Sequence, residues 1–219
     1  MEPPVQRSQL FPLETLDLRF KGRNILIPVY SILLELIVHQ RDAFRREFRF
    51  NDKIMRNVDK TIQSLGGAGK TLIGVHVRRT DFKNYLPKAF KTHLVAASYF
   101  KKAMQWYRNE ISGPLLFLIV TDDVDWCRQH LLGRGDVKIA TKKPAHDLAL
   151  MGVCNHTIID YGTFGYSGAF FSKGHSISLD VDKLFAETMA KEAAWTIFSI
   201  QNLKEVKFES AKKLKKPVS

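Results

Sequence analysis

His76, Arg78, Arg79 and Asp81 lie together in one short segment, Gly74-Val75-His76-Val77-Arg78-Arg79-Thr80-Asp81. The segment sits behind the apolar run Thr71-Leu72-Ile73 and in front of an expected loop, Phe82 to Pro87. A buried strand that ends this way delivers two guanidinium groups and a carboxylate to one edge of a sheet. The planar fork of arginine suits two-pronged recognition of a phosphate. Side chains alternate along a strand, so His76 and Arg78 share one face and Arg79 takes the other. One arginine can then reach a ligand while its neighbour anchors the loop. The plainer alternative is a surface arginine pair in a basic protein.

Two more segments carry compatible chemistry. Thr121-Asp122-Asp123 follows the unbroken apolar run Leu115-Leu116-Phe117-Leu118-Ile119-Val120. Asp160-Tyr161-Gly162-Thr163-Phe164-Gly165-Tyr166-Ser167-Gly168 follows a third expected strand and opens a helix. A glycine- and hydroxyl-rich turn at a helix N-terminus offers free backbone N–H groups, which suit a phosphate. By contrast, Gly67-Ala68-Gly69-Lys70-Thr71 is a decoy for a P-loop. That pattern needs Gly where Ser64 stands, with a strand before it and a helix after it, and here the order is reversed.

The elements that position these residues follow from periodicity. Residues 1–28 read as an irregular, proline-containing lead-in, and 29–48 as a helix with Phe44 and Phe48 at i,i+4 spacing. A helix over 53–65 aligns Ile54, Val58, Ile62 and Leu65 on one stripe, with Asn51 or Asp52 as its N-cap. Gly66, Gly67 and Gly69 break it before a strand at 71–77. A helix over about 93–110 puts Ala96, Phe100, Met104 and Tyr107 on one face. The 115–120 run suits a parallel strand buried on both sides. Helical and extended stretches keep alternating over about 123–132, 137–140, 144–154, 157–160, 164–172, 175–179 and 181–194. This βα alternation predicts an α/β fold with a doubly wound parallel sheet, whose ligands lie beyond the carboxyl ends of the strands.

The 219 residues are 45% hydrophobic and 26% charged, a soluble globular composition with enough chain for a real core. No run reaches the roughly 18 apolar residues that span a bilayer. The first residues lack the basic-then-apolar order of a secretory signal, so the chain as written is expected to carry neither anchor nor export signal. The formal net charge of +12 favours anionic partners: nucleic acid, an anionic membrane or a phosphate-bearing substrate. Part of that excess is the tail Lys212-Lys213-Leu214-Lys215-Lys216-Pro217. Cys127 and Cys154 are too few for a disulfide scaffold, and their spacing neither requires nor forbids one bridge. The sequon Asn155-His156-Thr157 matters only in a secreted protein.

Val75-His76-Val77-Arg78-Arg79-x-Asp81 resembles the donor-binding motif shared by α1,2-, α1,6- and protein O-fucosyltransferases. Two segments narrow the resemblance to the animal galactoside α1,2-fucosyltransferases. One is Phe117-Leu118-Ile119-Val120-Thr121 followed by Trp126-Cys127-Arg128. The other is Asp147-Leu148-Ala149-Leu150-Met151, leading through Cys154-Asn155-His156-Thr157-Ile158 to Gly162-Thr163-Phe164-Gly165. The helix Tyr99-Phe100-Lys101-Lys102-Ala103-Met104-Gln105-Trp106-Tyr107 between the first two also fits, and the whole resemblance covers about residues 35–180.

The resemblance implies the C-terminal, donor-binding half of a GT-B-like glycosyltransferase, with a Rossmann-like parallel sheet. It implies a lead-in and remnant of the acceptor half over 1–50, a GDP-fucose-binding domain over 51–200, and a basic tail over 201–219. The implied reaction is an inverting transfer: a terminal β-galactoside's 2-hydroxyl attacks C1 of GDP-β-L-fucose and GDP leaves. Arg78 would meet charge developing on the leaving β-phosphate, where a preplaced cation is worth most. His76, Arg78, Arg79, Asp147, Thr163 and Phe164 are the implied nucleotide contacts, Asp147 accepting from the guanine edge and Thr163 meeting phosphate. Arg78 and Asp81 are the implied catalytic pair. No metal or other cofactor is expected, because Arg supplies the charge that magnesium supplies elsewhere. The resemblance also implies work on the luminal side of Golgi cisternae through a membrane anchor, for which the chain as written is expected to hold no counterpart.

Structural alternatives stand beside these roles. Asp147 can cap a helix at 147–154. Asp122 and Asp123 are better read as caps of the next helix. Asp81 can pair with Arg79, His76 can be a hydrogen-bonded core histidine, and Trp106 and Trp126 read as core aromatics. Nothing matches the family's Gly-Gly-x-Gly-Asn-Gln-type loop, while Asp160-Tyr161 and Tyr166-Ser167 depart from its usual pattern. The competing functions are a donor-half remnant acting as a nucleotide-binding or partner module, and, ranked last, a basic nucleic-acid binder.

Overall fold

The computed structural model describes residues 41–90 and 93–178. The expected lead-in at 1–28, most of the 29–48 helix, the 181–194 helix and the lysine tail lie outside these residues. Within them, helix α1 (Arg41–Glu47) precedes α2 (Asp52–Ser64). Asn51 starts α2: its side-chain oxygen accepts the Lys53 N–H at 2.8 Å, satisfying a donor that the first turn leaves open. Gly66 and Gly69, at φ of 76° and 71°, then make the left-handed turn into β1 (Thr71–Val77).

The chain continues through α3 (Phe82–Phe90), α4 (Ala97–Glu110), β2 (Leu115–Thr121), α5 (Val124–His130) and β3 (Val137–Ile139). It ends with α6 (Pro144–Val153), β4 (His156–Ile158), α7 (Gly162–Phe171) and β5 (Ser176–Ile177). The five strands are all parallel, in the order β3-β2-β1-β4-β5. That is the Rossmann order, in which the chain reverses direction across the sheet beside the first strand. The α/β, Rossmann-like expectation therefore holds.

Each face of the sheet has its own core. Ile73, Val75 and Val77 point to the face covered by α4 and α5, against Phe100, Met104, Tyr107 and Cys127. Tyr107 also ties α4 to the sheet edge, its hydroxyl donating to the carbonyls of Thr157 at 3.1 Å and His175 at 2.8 Å. Leu116, Leu118 and Val120 pack on the other face with Val58 of α2, Leu150 and Met151 of α6 and Ala169 of α7. Met151 sits where two glycines make room: a Cβ on Gly74 would lie 2.6 Å from its Sδ, and one on Gly168 would lie 2.7 Å from its Cβ. Cys127 and Cys154 are free, buried and in opposite cores, so the one bridge the sequence allowed does not form.

Two expectations change. Phe82 to Pro87 is not a loop but most of α3, although Pro87 cannot donate to the Lys83 carbonyl. The turn is held instead by Lys83 N–H on the Arg79 carbonyl and Tyr85 N–H on the Asp81 carbonyl. Fully buried Leu86 packs with Phe82 and Tyr161 and fixes the helix against the domain. The next helix begins at Ala97 rather than 93, and Ala96 is its N-cap instead of a buried-face residue. No helix among the described residues is long and apolar enough to cross a membrane.

Candidate functional site

Strand register gathers the polar groups. Val77 pairs with Thr121 on β2, so Asp122 stands level with Arg78. On the other side Val75 pairs with Ile158 on β4, so Asp160 comes level with Val77. The two carboxylates therefore flank the end of β1. Asp160 Oδ2 accepts the Arg78 backbone N–H at 2.8 Å. Asp122 Oδ1 accepts the Arg79 N–H at 2.8 Å, while Oδ2 takes the Thr80 N–H at 3.2 Å and its hydroxyl at 2.5 Å. Three successive backbone N–H groups are thus already engaged, and any anion here must be met by side chains or by another backbone segment.

The Arg78 side chain remains accessible, 38% exposed. Its fork donates to Asp81 Oδ2 at 2.8 Å and reaches Asp122 Oδ2 at 3.2 Å, with the Phe82 ring centroid 5.8 Å from the guanidinium carbon. Arg79, 17% exposed, turns to the opposite face, as the strand alternation predicts. Its guanidinium lies 3.6 Å over the Trp126 ring, and NH1 donates to the Val95 carbonyl at 3.4 Å. Nε is buried without a hydrogen bond, Asp123 Oδ2 standing 3.6 Å away as an ion partner only. The π face of Trp126 offsets that missing bond. Trp126, expected as a plain core aromatic, is half in the core and half a platform for Arg79.

The expected Asp81–Arg79 pair does not form. Asp81 is 58% exposed and bonds Arg78, which lies across the turn from it at i,i+3, while Arg79 faces away. The caps divide as well. Asp123 caps α5 by accepting the Trp126 N–H at 3.1 Å, as expected, whereas Asp122 holds the β1 turn instead.

His76 is buried, with Nδ1 2.9 Å from Asp160 Oδ1. Its ring stacks on Phe164 at 5.5 Å between centroids and an interplanar angle of 26°. Gly165 makes that approach possible, since a Cβ there would lie 2.7 Å from His76 Nδ1. Both residues belong to the first turn of α7, which starts at Gly162 with φ of 83° and has no side-chain cap. A Cβ on Gly162 would meet Phe82 Cζ at 3.5 Å, so this turn also borders the ring beside Arg78. The geometry therefore brings His76, Arg78, Phe164 and the Thr163 turn to one rim. No polar contact ties Thr163 to the others.

Asp147 stands apart from that cluster, in the first turn of α6. Its Oδ1 accepts the Lys142 N–H and faces His146 Nδ1, both at 2.9 Å, and His146 Nε2 meets Thr61 Oγ1 at 3.0 Å. Burial raises its pKa above the ordinary carboxylate range, against the pull of the bonds from His146 and Lys142. The helix-cap alternative for Asp147 does not hold: the helix starts at Pro144 behind Lys143, no side chain caps it, and Asp147 bonds back to Lys142 from inside the first turn. Thr141, in the loop before α6, accepts the Thr121 N–H at 2.6 Å and so ties that loop to the carboxyl end of β2.

Asp160 is the residue whose role sequence reasoning missed: it stood only at the head of the 160–168 segment and within a departure from a family pattern. Its signal was an aspartate directly behind the apolar run Thr157-Ile158-Ile159, a position like that of Asp122 behind β2.

A family model described as Glycosyl transferase family 11 matches residues 34–200. The galactoside α-(1,2)-fucosyltransferase 2 of Hylobates lar is 33% identical over 186 residues, 80% of this chain and 54% of that protein. The galactoside α-(1,2)-fucosyltransferase 1 of Saimiri sciureus is 31% identical over 171 residues, 72% of this chain and 46% of that protein. A solved structure of the NodZ α-1,6-fucosyltransferase, soaked with GDP-fucose, gives a TM-score of 0.47 at 19% identity, over 66% of this chain and 51% of that one. The chain spans about half the length of the curated relatives it matches. With most of its residues covered by the family model, the chain belongs to glycosyl transferase family 11.

Proposed function

We propose that this chain is the donor-binding half of an inverting galactoside α1,2-fucosyltransferase. The observation that carries the reading is Arg78: an accessible guanidinium at the carboxyl edge of a Rossmann-ordered sheet, on a turn locked by Asp122 and Asp160. In this reading GDP-β-L-fucose lies across that edge. Arg78 meets the β-phosphate, the uncapped first turn of α7 with Thr163 offers N–H and hydroxyl donors to the phosphates, and His76 and Phe164 form the wall beside them. Asp147 uses its second oxygen for the guanine N1–H and amino group. Arg79, held on Trp126, supports the turn.

The chemistry follows from charge. The C1–O bond to the β-phosphate breaks as the galactose 2-hydroxyl oxygen bonds C1 from the opposite face and its proton passes to solvent water. Negative charge builds on the leaving phosphate oxygen, and a fixed arginine stabilises that charge more than the ground state. Asp81, bonded to Arg78 before any donor arrives, acts as the counter-ion that gives way to phosphate. The acceptor is a β-galactoside, the class that the relatives' names point to, and the working compartment is the Golgi lumen. A second reading is a module that binds the nucleotide without transferring the sugar.

The test is a transfer assay with GDP-fucose and a panel of β-galactosides, with products linkage-typed by mass spectrometry. An α1,2-fucosylated product from the chain, lost in Arg78→Ala, is expected. GDP binding with no transfer to any acceptor supports the second reading and rejects the first for this chain.

A further inference from the structure

Asp160 is almost wholly buried, 2% exposed, and has no part in the donor contacts set out above. Its two oxygens serve two donors that belong to the same strand end: Oδ1 faces His76 Nδ1 at 2.9 Å, and Oδ2 accepts the Arg78 N–H at 2.8 Å. We propose that Asp160 is a positioning residue, one carboxylate that sets both the direction in which Arg78 leaves β1 and the ring nitrogen at which His76 carries its proton. The inference rests on the reading of Arg78 as the diphosphate-binding group.

A carboxylate only accepts hydrogen bonds, so the proton in the His76–Asp160 contact sits on Nδ1. In the neutral ring Nε2 is then the acceptor. The ring cannot turn away from this arrangement, because Phe164 stacks on its face and the Gly165 position closes in on its Nδ1 edge. The same carboxylate holds the first backbone N–H of the turn from the β4 side, while Asp122 holds the next two from the β2 side. The guanidinium therefore springs from a backbone fixed at each successive residue. Small displacements of a charge-stabilising group lose much of its effect.

Asp160→Asn weakens both duties with no change of size: the bond to the Arg78 N–H loses its charge, and His76 Nδ1 loses its acceptor. Asparagine has one acceptor oxygen and one NH2 group. With the oxygen kept on the Arg78 N–H, the NH2 faces His76 Nδ1, and the ring must accept there and carry its proton on Nε2. The experiment measures GDP affinity by calorimetry on the whole chain, with the His76 tautomer read by 15N NMR in alkaline buffer on the same samples. The expected result is an Nδ1–H ring in the unsubstituted chain, an Nε2–H ring in Asp160→Asn, and a GDP affinity roughly tenfold weaker, the scale of one charge-assisted bond lost. In an Arg78→Lys background the Asp160→Asn effect on affinity should shrink, because the two residues act as one unit.

An unchanged GDP affinity in a folded Asp160→Asn chain overturns the proposal. So does an Nε2–H ring in the unsubstituted chain, which needs no variant to fold. An unsubstituted chain that does not bind GDP overturns the donor-site reading and the positioning role with it. The tautomer from that sample then shows whether the Asp160–His76 link itself also fails.

Discussion

Arg78 and Arg79 are neighbours in sequence, yet one leaves its guanidinium at the open rim and the other lays it 3.6 Å over Trp126. Their substitutions should therefore differ in kind. Arg78→Ala removes an exposed side chain whose ion partners are partly solvated, so thermal stability without ligand should change little, within about 0.5–1 kcal/mol. Arg79→Ala removes a packed stem and its cation–π contact, and should cost about 1–2 kcal/mol of unfolding free energy in denaturant titrations. Equal losses from the two variants would contradict this division. The alternation that separates them was readable from the strand alone. The partner of Asp81 was not, because the turn after Val77 decides which arginine faces it.

At the scale of elements, the fit of α6 between β1 and α7 is set by Met151 against Gly74 and Gly168. Gly168→Ala should therefore overpack the junction and cost about 1–3 kcal/mol, measured by denaturant midpoint. A loss near zero would mean that α6 moves away freely. The β4–β5 junction should carry a pH dependence. His156 Nδ1 accepts the His175 N–H at 3.0 Å, and the two rings stack at 9°. Burial first, then the neighbouring His175, holds the folded pKa of His156 below its ordinary value. A histidine lowered on folding contributes stability that is full above its unfolded pKa of about 6.5 and lost as pH falls through the folded value. Melting temperature should thus fall on acidification from pH about 7.5 to 5.5, and His156→Gln should flatten that slope. An unchanged slope in the variant would assign the effect to other groups.

Elements also show what the sequence could reveal. Helix α2 was readable because its cap, apolar stripe and closing glycines all lie within one local window. Helix α3 was not, although Phe82, Tyr85, Leu86, Ala89 and Phe90 keep helical spacing, because Pro87 in the middle reads as a breaker; Leu86 packing with Tyr161 holds the helix in place. Asp160 could be seen only as an aspartate after an apolar run. Its partner His76 lies 84 residues away, and only the β1–β4 register brings the two together. Asp122 was misread for the same reason, as a local cap is visible in sequence and a cross-strand bond is not.

For the whole molecule, the parallel sheet puts Cys127 and Cys154 in separate cores, one on each face. Burial pushes the Cys127 thiol up to about 11 and the Cys154 thiol up to about 12, so little thiolate is present at neutral pH. Both should resist maleimide labelling in the native chain and react after denaturation, and reductant should leave the melting temperature unchanged. Rapid native labelling of both would contradict the two-core packing. The same sheet gathers the strand ends into one rim, which is where the proposed function stands or falls. The most direct measurement is the melting temperature of the chain titrated with GDP, beside Arg78→Ala. At GDP about a hundredfold over its dissociation constant the expected stabilisation is about 2.7 kcal/mol, a rise of roughly 5–10 °C, absent in the variant. No rise at millimolar GDP in the unsubstituted chain, or an equal rise in Arg78→Ala, would contradict the donor site.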